Sequence, residues 1–167
     1  MAKVKTGAFQ PLPVVPIVLV GALTDGKPNY TTVGFVTGVN VDPAMVCVSL
    51  NKNHHTAKGL MANSSFSINI PSVDHVVQTD YCGLVSGREV DKSEVFTTFY
   101  GELKTAPMIQ EFPITCECRY SGQHIEFSMD TVYFGEVVQV YLDEEMLGAN
   151  RTLDILKARP IYFSAFD

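Results

Sequence analysis

Apolar and polar positions alternate in short runs along much of the chain, and most runs end in a turn signal. Ile114, Cys116, Cys118 and Tyr120 fall on one side of such a run, with Thr115, Glu117 and Arg119 on the other. That two-residue period belongs to a strand. Phe66 to Ile70 alternates in the same way and is stopped by Pro71, and Ile125, Phe127 and Met129 alternate with His124, Glu126 and Ser128 after a turn at Ser121–Gly122. Val14 to Leu23 is a nearly unbroken apolar run, read as a strand with Pro16 near its start or on an edge. Asp25-Gly26 marks a hairpin, and Tyr30 to Val39 is the next strand. Its Gly34 and Gly38 suggest a bulge or a ligand lying close to the backbone. After an Asp42-Pro43 turn, Ala44 to Val48 reads as a buried strand, and Val132 to Leu142 as a long one interrupted at Gly135. Helical patterns are few and short: one entered near Thr56, one from Ser72 to about Thr79, and one over Asn150 to Lys157. Many short strands in hairpin order predict a mainly β fold, an antiparallel barrel with a few short helices.

Composition narrows the function classes. A chain of 167 residues, 46% hydrophobic and 18% charged, suits one folded domain over residues 1–167 with a sizeable core. Its net charge of -6 and lack of a basic stripe argue against nonspecific nucleic-acid binding. The apolar run at the N-terminal end is too short to span a bilayer, so no membrane partner is expected. Four cysteines in a domain this size do not form a disulfide scaffold, which implies a reducing, cytoplasmic setting.

The stretch Ser49-Leu50-Asn51-Lys52-Asn53-His54-His55-Thr56 carries the clearest candidate chemistry. It leaves a strand, turns through polar residues and enters a helix, whose first N–H groups lack helical partners and sit at the positive end of the dipole. An anion suits that place. Lys52 adds a charge, Ser49 and Thr56 add hydroxyls, and His54 or His55 could serve as acid, base or phosphate partner; a capped turn with a solvated lysine is the plainer alternative. Cys47, Cys116 and Cys118 read as core, and no Cys or His pair has zinc spacing. Cys82, beside Gly83 in what reads as the loop Tyr81 to Lys92, leaves a redox or ligand-facing role open. Ser86 and Glu89 have capping-box spacing. Nucleophile-elbow, Walker and Rossmann glycine patterns are missing.

The run Cys82-Gly83-x-x-Ser86-Gly87-Arg88-x-x-Asp91-Lys92 resembles the signature of the flavin reductase-like, FMN-binding split-barrel family, in its flavoredoxin branch. Other landmarks stand in the family's order: Pro13 to Leu23, Asn29 to Phe35, Ser49 to Thr56, Gly135-Glu136-Val137-Val138, and Pro160 to Phe163. The resemblance implies a Greek-key split barrel that binds FMN without a covalent bond and forms a homodimer with each flavin near the interface. It implies that Ser49, Lys52, Thr56 and Lys92 serve the phosphate or ribityl chain, and that Asn29, Thr31, Thr32 and Phe35 line the isoalloxazine. Backbone groups near Leu50 and Asn51 would meet the ring's polar edge. Cys82, Gly83 and Ser86 would form the neighbouring wall, and Tyr162 or Phe163 would close the pocket. Asp130-Thr131 stands where members often carry His, and the chain stops at Asp167 where relatives usually continue, which points to a shortened C-terminal tail.

The expected activity is that of a flavin reductase-like oxidoreductase. Reducing equivalents would come from NADH, NADPH or a protein donor, with the flavin N5 and no side chain doing the chemistry. An electron carrier without a nicotinamide site, and a module that stores flavin or senses redox state, are the alternatives.

Overall fold

Eleven strands and three helices succeed one another along the computed structural model, which describes residues 1–12, 14–148 and 150–164. The strands are β1 (Val14–Pro16), β2 (Val18–Thr24), β3 (Lys27–Val33), β4 (Val36–Asn40), β5 (Met45–Asn51), β6 (Ser65–Ile70), β7 (Thr98–Phe99), β8 (Met108–Ile109), β9 (Ile114–Glu126), β10 (Asp130–Leu142) and β11 (Tyr162–Ser164). The helices are α1 (His55–Asn63), α2 (Val76–Leu84) and α3 (Ile155–Ala158). Seven strands form one antiparallel sheet in the order β3-β2-β6-β9-β10-β5-β4. β6, β9 and β10 are neighbours in the sheet and consecutive among its strands, and β5 lies beside β10, which is a Greek-key connection. The two ends of the series, β3 and β4, are separated only by Gly34 and Phe35. One bent length of chain therefore joins both margins of the sheet, and Phe35 O accepts from Ser49 N at the bend (2.9 Å). The sheet curls into a barrel, as the alternating pattern predicts, and into one of the split kind that the resemblance implies.

The barrel encloses Val18, Val20, Ala22, Val33, Val48, Leu50, Phe66, Ile68, Cys118 and Tyr133, with Ala57 and Leu60 of α1 packed onto them. A second cluster of Leu19, Tyr30, Cys82, Phe96, Ile109 and Phe112 lies on the other face of β2 and β3. Strand β2 is thus buried on both faces, which explains its continuous apolar run. Gly135 does not interrupt β10. A Cβ there would stand 2.6 Å from the Phe66 ring, so glycine lets that ring cross the strand.

Several expectations need correction. The run from Val14 to Leu23 is two strands, because β1 leaves the barrel to pair with β11 while β2 stays in it. Pro13 and Asp167 lie outside the described residues. The second predicted strand is likewise split, into β3 and β4. Strand β5 continues to Asn51, so Ser49 belongs to the sheet and the turn begins after it. Helix α2 reaches Leu84, so Tyr81 to Leu84 is helical and not loop. Ser121–Gly122 is a bulge inside β9, opposite Phe134, and the chain reverses at Phe127–Met129. Ser86 and Glu89 build no capping box, since no helix follows; Ser86 O instead accepts from Glu89 N at 3.0 Å. Glu117, on the polar side of its strand, is fully buried, where Glu102 N, Leu103 N and Tyr141 Oη all donate to its carboxylate. No helix among the described residues is long and apolar enough to cross a membrane.

Candidate functional site

The turn after β5 and the loop after α2 meet at the free edge of β3. Between them is a polar cavity of about 280 Å³ lined by Asn29, Thr31, Asn51, His54, Thr56, Gly83, Ser86 and Lys92, among others. Helix α1 points its N-terminal end at this space. Its N-cap residue, His54, makes no side-chain cap bond, so the first turn keeps unpaired donors. Thr56 is fully buried in that turn, and Asn29 Nδ2 donates to its Oγ1 at 2.7 Å. Both residues line the cavity.

Lys92 decides the electrostatics. It is 3% exposed, and its Nζ donates to the carbonyls of Tyr30 (3.0 Å) and Cys82 (2.8 Å). Among the described residues no carboxylate lies within ion-pair distance of it. Burial lowers its proton affinity below that of an ordinary lysine. A buried ammonium with two carbonyl partners and a third donor at a cavity calls for an anion. Burial, then the Lys92 charge, lowers the proton affinity of His54, against a weaker opposite pull from Asp130.

The second half of the site is apolar. A cavity of about 420 Å³ is lined by Leu12, Val15, Ile17, Thr32, Gly34, Phe35, Gly83 and Phe163. Gly83 is common to both cavities, so the polar corner and the apolar slot adjoin there. A third, of about 520 Å³, continues past Phe35 to Ser49, Phe127 and Asp130.

The residues named from sequence therefore divide. Asn29, Thr31, Asn51, Thr56, Gly83, Ser86 and Lys92 line the polar cavity, Thr32 and Phe35 the apolar one, and Ser49 the third. Leu50 sends its side chain into the barrel core, which leaves only its backbone for a ligand. Lys52 donates from Nζ to Glu126 Oε2 at 3.0 Å and lines none of these cavities. Cys82 is fully buried beside Tyr30 and Phe96, with its thiol pushed up to about 11 by burial. Its carbonyl, not its sulfur, touches Lys92. Tyr162 is exposed in β11 while the next residue, Phe163, lines the apolar cavity. Asp130 opens β10 beside the third cavity, and Thr131 is buried. Sequence reasoning missed Leu12, Val15 and Ile17; their run carries no chemical signal, and only the pairing of β1 with β11 brings them to the slot. Among the described residues no group of three or more His, Cys, Asp or Glu is placed to hold a metal ion.

Known proteins share the fold of this chain. The family model "Flavin reductase like domain" matches residues 14–160. The structure of a flavoredoxin from Methanosarcina acetivorans is 40% identical, with a TM-score of 0.92 over 100% of this chain and 93% of that one. A flavoredoxin of Desulfovibrio vulgaris (Miyazaki F) is 32% identical, with a TM-score of 0.91 over 99% and 90%. An FMN-binding protein from Thermus thermophilus shares the fold, at 23% identity and a TM-score of 0.78 over 88% and 82%. An uncharacterized protein of Archaeoglobus fulgidus is 24% identical over 116 residues, a match that spans 68% of this chain and 65%, just under two thirds, of that relative's length.

Proposed function

The chain belongs to the flavin reductase-like domain family of flavin-binding redox proteins, and from that premise we propose that it holds FMN without a covalent bond as a reductase-like oxidoreductase. One observation carries the choice of ligand: a buried lysine, with no carboxylate partner among the described residues, faces a helix start, next to an apolar slot bounded by two phenylalanines. The residues present suit a flavin mononucleotide. Lys92, Thr56, Asn29 and the first N–H groups of α1 would take the phosphate and adjoining hydroxyls, since a phosphate of about two negative charges balances both the ammonium and the dipole. Thr32, Phe35, Gly83 and Phe163 would give the ring flat contact, and the backbone at Leu50 and Asn51 would meet its polar edge. When bound, the flavin supplies the hydride and electron chemistry. This chain's own part is to bind, orient and shield it.

A second copy would cover the slot. Leu12, Val14, Phe35, Phe127 and Phe163 are each more than half exposed around it, a concentration of apolar surface that favours a homodimer. The test of function begins with the absorption spectrum of the purified protein, expected to show bound flavin. Anaerobic NADH or NADPH should then bleach it within seconds. Bleaching only by a reduced ferredoxin-type protein would favour the carrier, bleaching by neither would favour a storage or sensing module, and a colourless protein that takes up no added FMN would overturn the reading.

A further inference from the structure

Four cysteines are spread along the chain, and two of them stand together. Cys116 and Cys118 lie two residues apart on β9, a strand paired on both sides, with β6 and with β10. Side chains two apart on a strand share a face, and here the two sulfur atoms are 3.9 Å from each other. Cys47 stands on β5 and Cys82 in the second core cluster, so neither shares this strand. A strand rises about 3.3 Å per residue, which separates the two Cα atoms by ~6.7 Å. That falls within the span a disulfide bridges, near its upper end. Closing the bond asks for a pucker of the strand and not for a rearrangement of the fold. The ladder is already irregular at this point: opposite Glu117 and Cys118 the register of β10 shifts between Val137 and Gln139.

The two thiols differ in setting. Cys118 is fully buried in the barrel core with Val48, Phe66 and Tyr133. Cys116 is only partly buried and packs against the margin of that core, and Val140, its partner across the ladder, is 47% exposed. The approach from solvent is therefore on the Cys116 side. The bond with Cys118 lowers the proton affinity of the Cys116 thiol, against burial, which raises it. The bond with Cys116, and then burial, push that of Cys118 up. These settings make Cys116 the attacking sulfur and Cys118 the resolving one.

We propose that Cys116 and Cys118 form an oxidation site in the barrel wall, a dithiol that hydroperoxides convert to a disulfide and that small dithiols restore. In the first step the Cys116 sulfur attacks a peroxide oxygen. The O–O bond breaks, the thiol proton leaves with the departing oxygen as water or alcohol, and Cys116 becomes a sulfenic acid. In the second step the Cys118 sulfur attacks the Cys116 sulfur. The S–O bond breaks, the hydroxyl leaves as water with the Cys118 proton, and the S–S bond forms. Two electrons pass from the sulfur pair to the peroxide. Reduction returns them from an external dithiol by thiol–disulfide exchange. The site does not depend on the flavin reading above.

The experiment uses the purified wild-type protein, reduced with dithiothreitol, desalted, exposed to hydrogen peroxide and then labelled with N-ethylmaleimide under denaturing conditions. Tryptic cleavage after Lys104 and Arg119 places both cysteines, and no other, in the peptide Thr105 to Arg119. Mass spectrometry should find that peptide lighter by two hydrogen atoms and unlabelled after peroxide, and doubly labelled when dithiothreitol precedes the maleimide. With Cys118→Ser the resolving thiol is gone, so Cys116 should be trapped as its dimedone adduct and the loss of two hydrogens should vanish. Should that variant fold poorly, phenylarsine oxide on native wild type is the second measure: it bridges paired thiols, and it should block both labels until dithiothreitol, and not a monothiol, removes it. Two labels on the peptide after peroxide, separate sulfinic acids at the two positions, or a bond to Cys47, Cys82 or a second chain would each overturn the proposal. None of these outcomes bears on flavin binding, which the absorption spectrum reads independently.

Discussion

At the scale of single residues, Lys92 and Lys52 illustrate opposite relations between sequence and site. Both are lysines in polar stretches, and the sequence offers no means to rank them. In the fold Lys92 is enclosed and has no acid partner among the described residues, whereas Lys52 is exposed and engaged with Glu126. Charge-assisted bonds in a buried setting are worth about 1.5–3 kcal/mol, against less than about 1 kcal/mol for an exposed pair. Lys92→Gln should therefore weaken FMN binding by about 10- to 100-fold, and Lys52→Ala by less than about threefold, in the same fluorescence titration. Lys92 also sets a pH effect on the apoprotein. Its folded proton affinity is lowered from the ordinary 10.5, so the unfolded chain binds that proton more tightly. The penalty is fully present at neutral pH and is relieved as pH rises through the lowered value towards 10.5. Melting temperature on the alkaline side should gain this increment in wild type and lack it in Lys92→Gln.

At the scale of elements, two glycines do different work. In β10, Gly135 makes room for the Phe66 ring. Gly135→Ala forces that ring or the strand aside and should cost about 1–3 kcal/mol in a denaturant titration, with flavin affinity in the folded fraction little changed. In the loop after α2, Gly87 presses on Asn29: a Cβ there would stand 2.1 Å from Asn29 Oδ1. Gly87→Ala should displace the amide that holds Thr56 and reduce flavin affinity, with a smaller effect on stability. The period of the strands was legible in residues such as Phe66 to Ile70, because alternation reports one buried face directly. Breaks within a strand were not. Val14 to Leu23 reads as one run because both β1 and β2 are apolar; their separation depends on partners far along the chain, at Tyr162–Ser164 for one and at Lys27–Val33 and Ser65–Ile70 for the other.

At the scale of the whole molecule, the apolar slot faces outward and is bounded by side chains that gain from being covered. A homodimer of two 18.4 kDa chains is the expected state, read as mass by light scattering; Phe35→Ser, at 52% exposure, should shift it towards monomer and loosen the flavin at the same time. The amino-acid order alone determined the β class, the hairpin succession, the helix start near Thr56 and the set of residues that resemble a flavin site, because each of these is written in local period, turn chemistry or motif. Tertiary structure alone decided that Lys92 is buried against two carbonyls, that Cys82 is core, that Glu117 is enclosed and that His54 holds an unpartnered nitrogen. Those are properties of what surrounds a side chain, and the surroundings come from segments tens of residues away that meet only when the sheet closes.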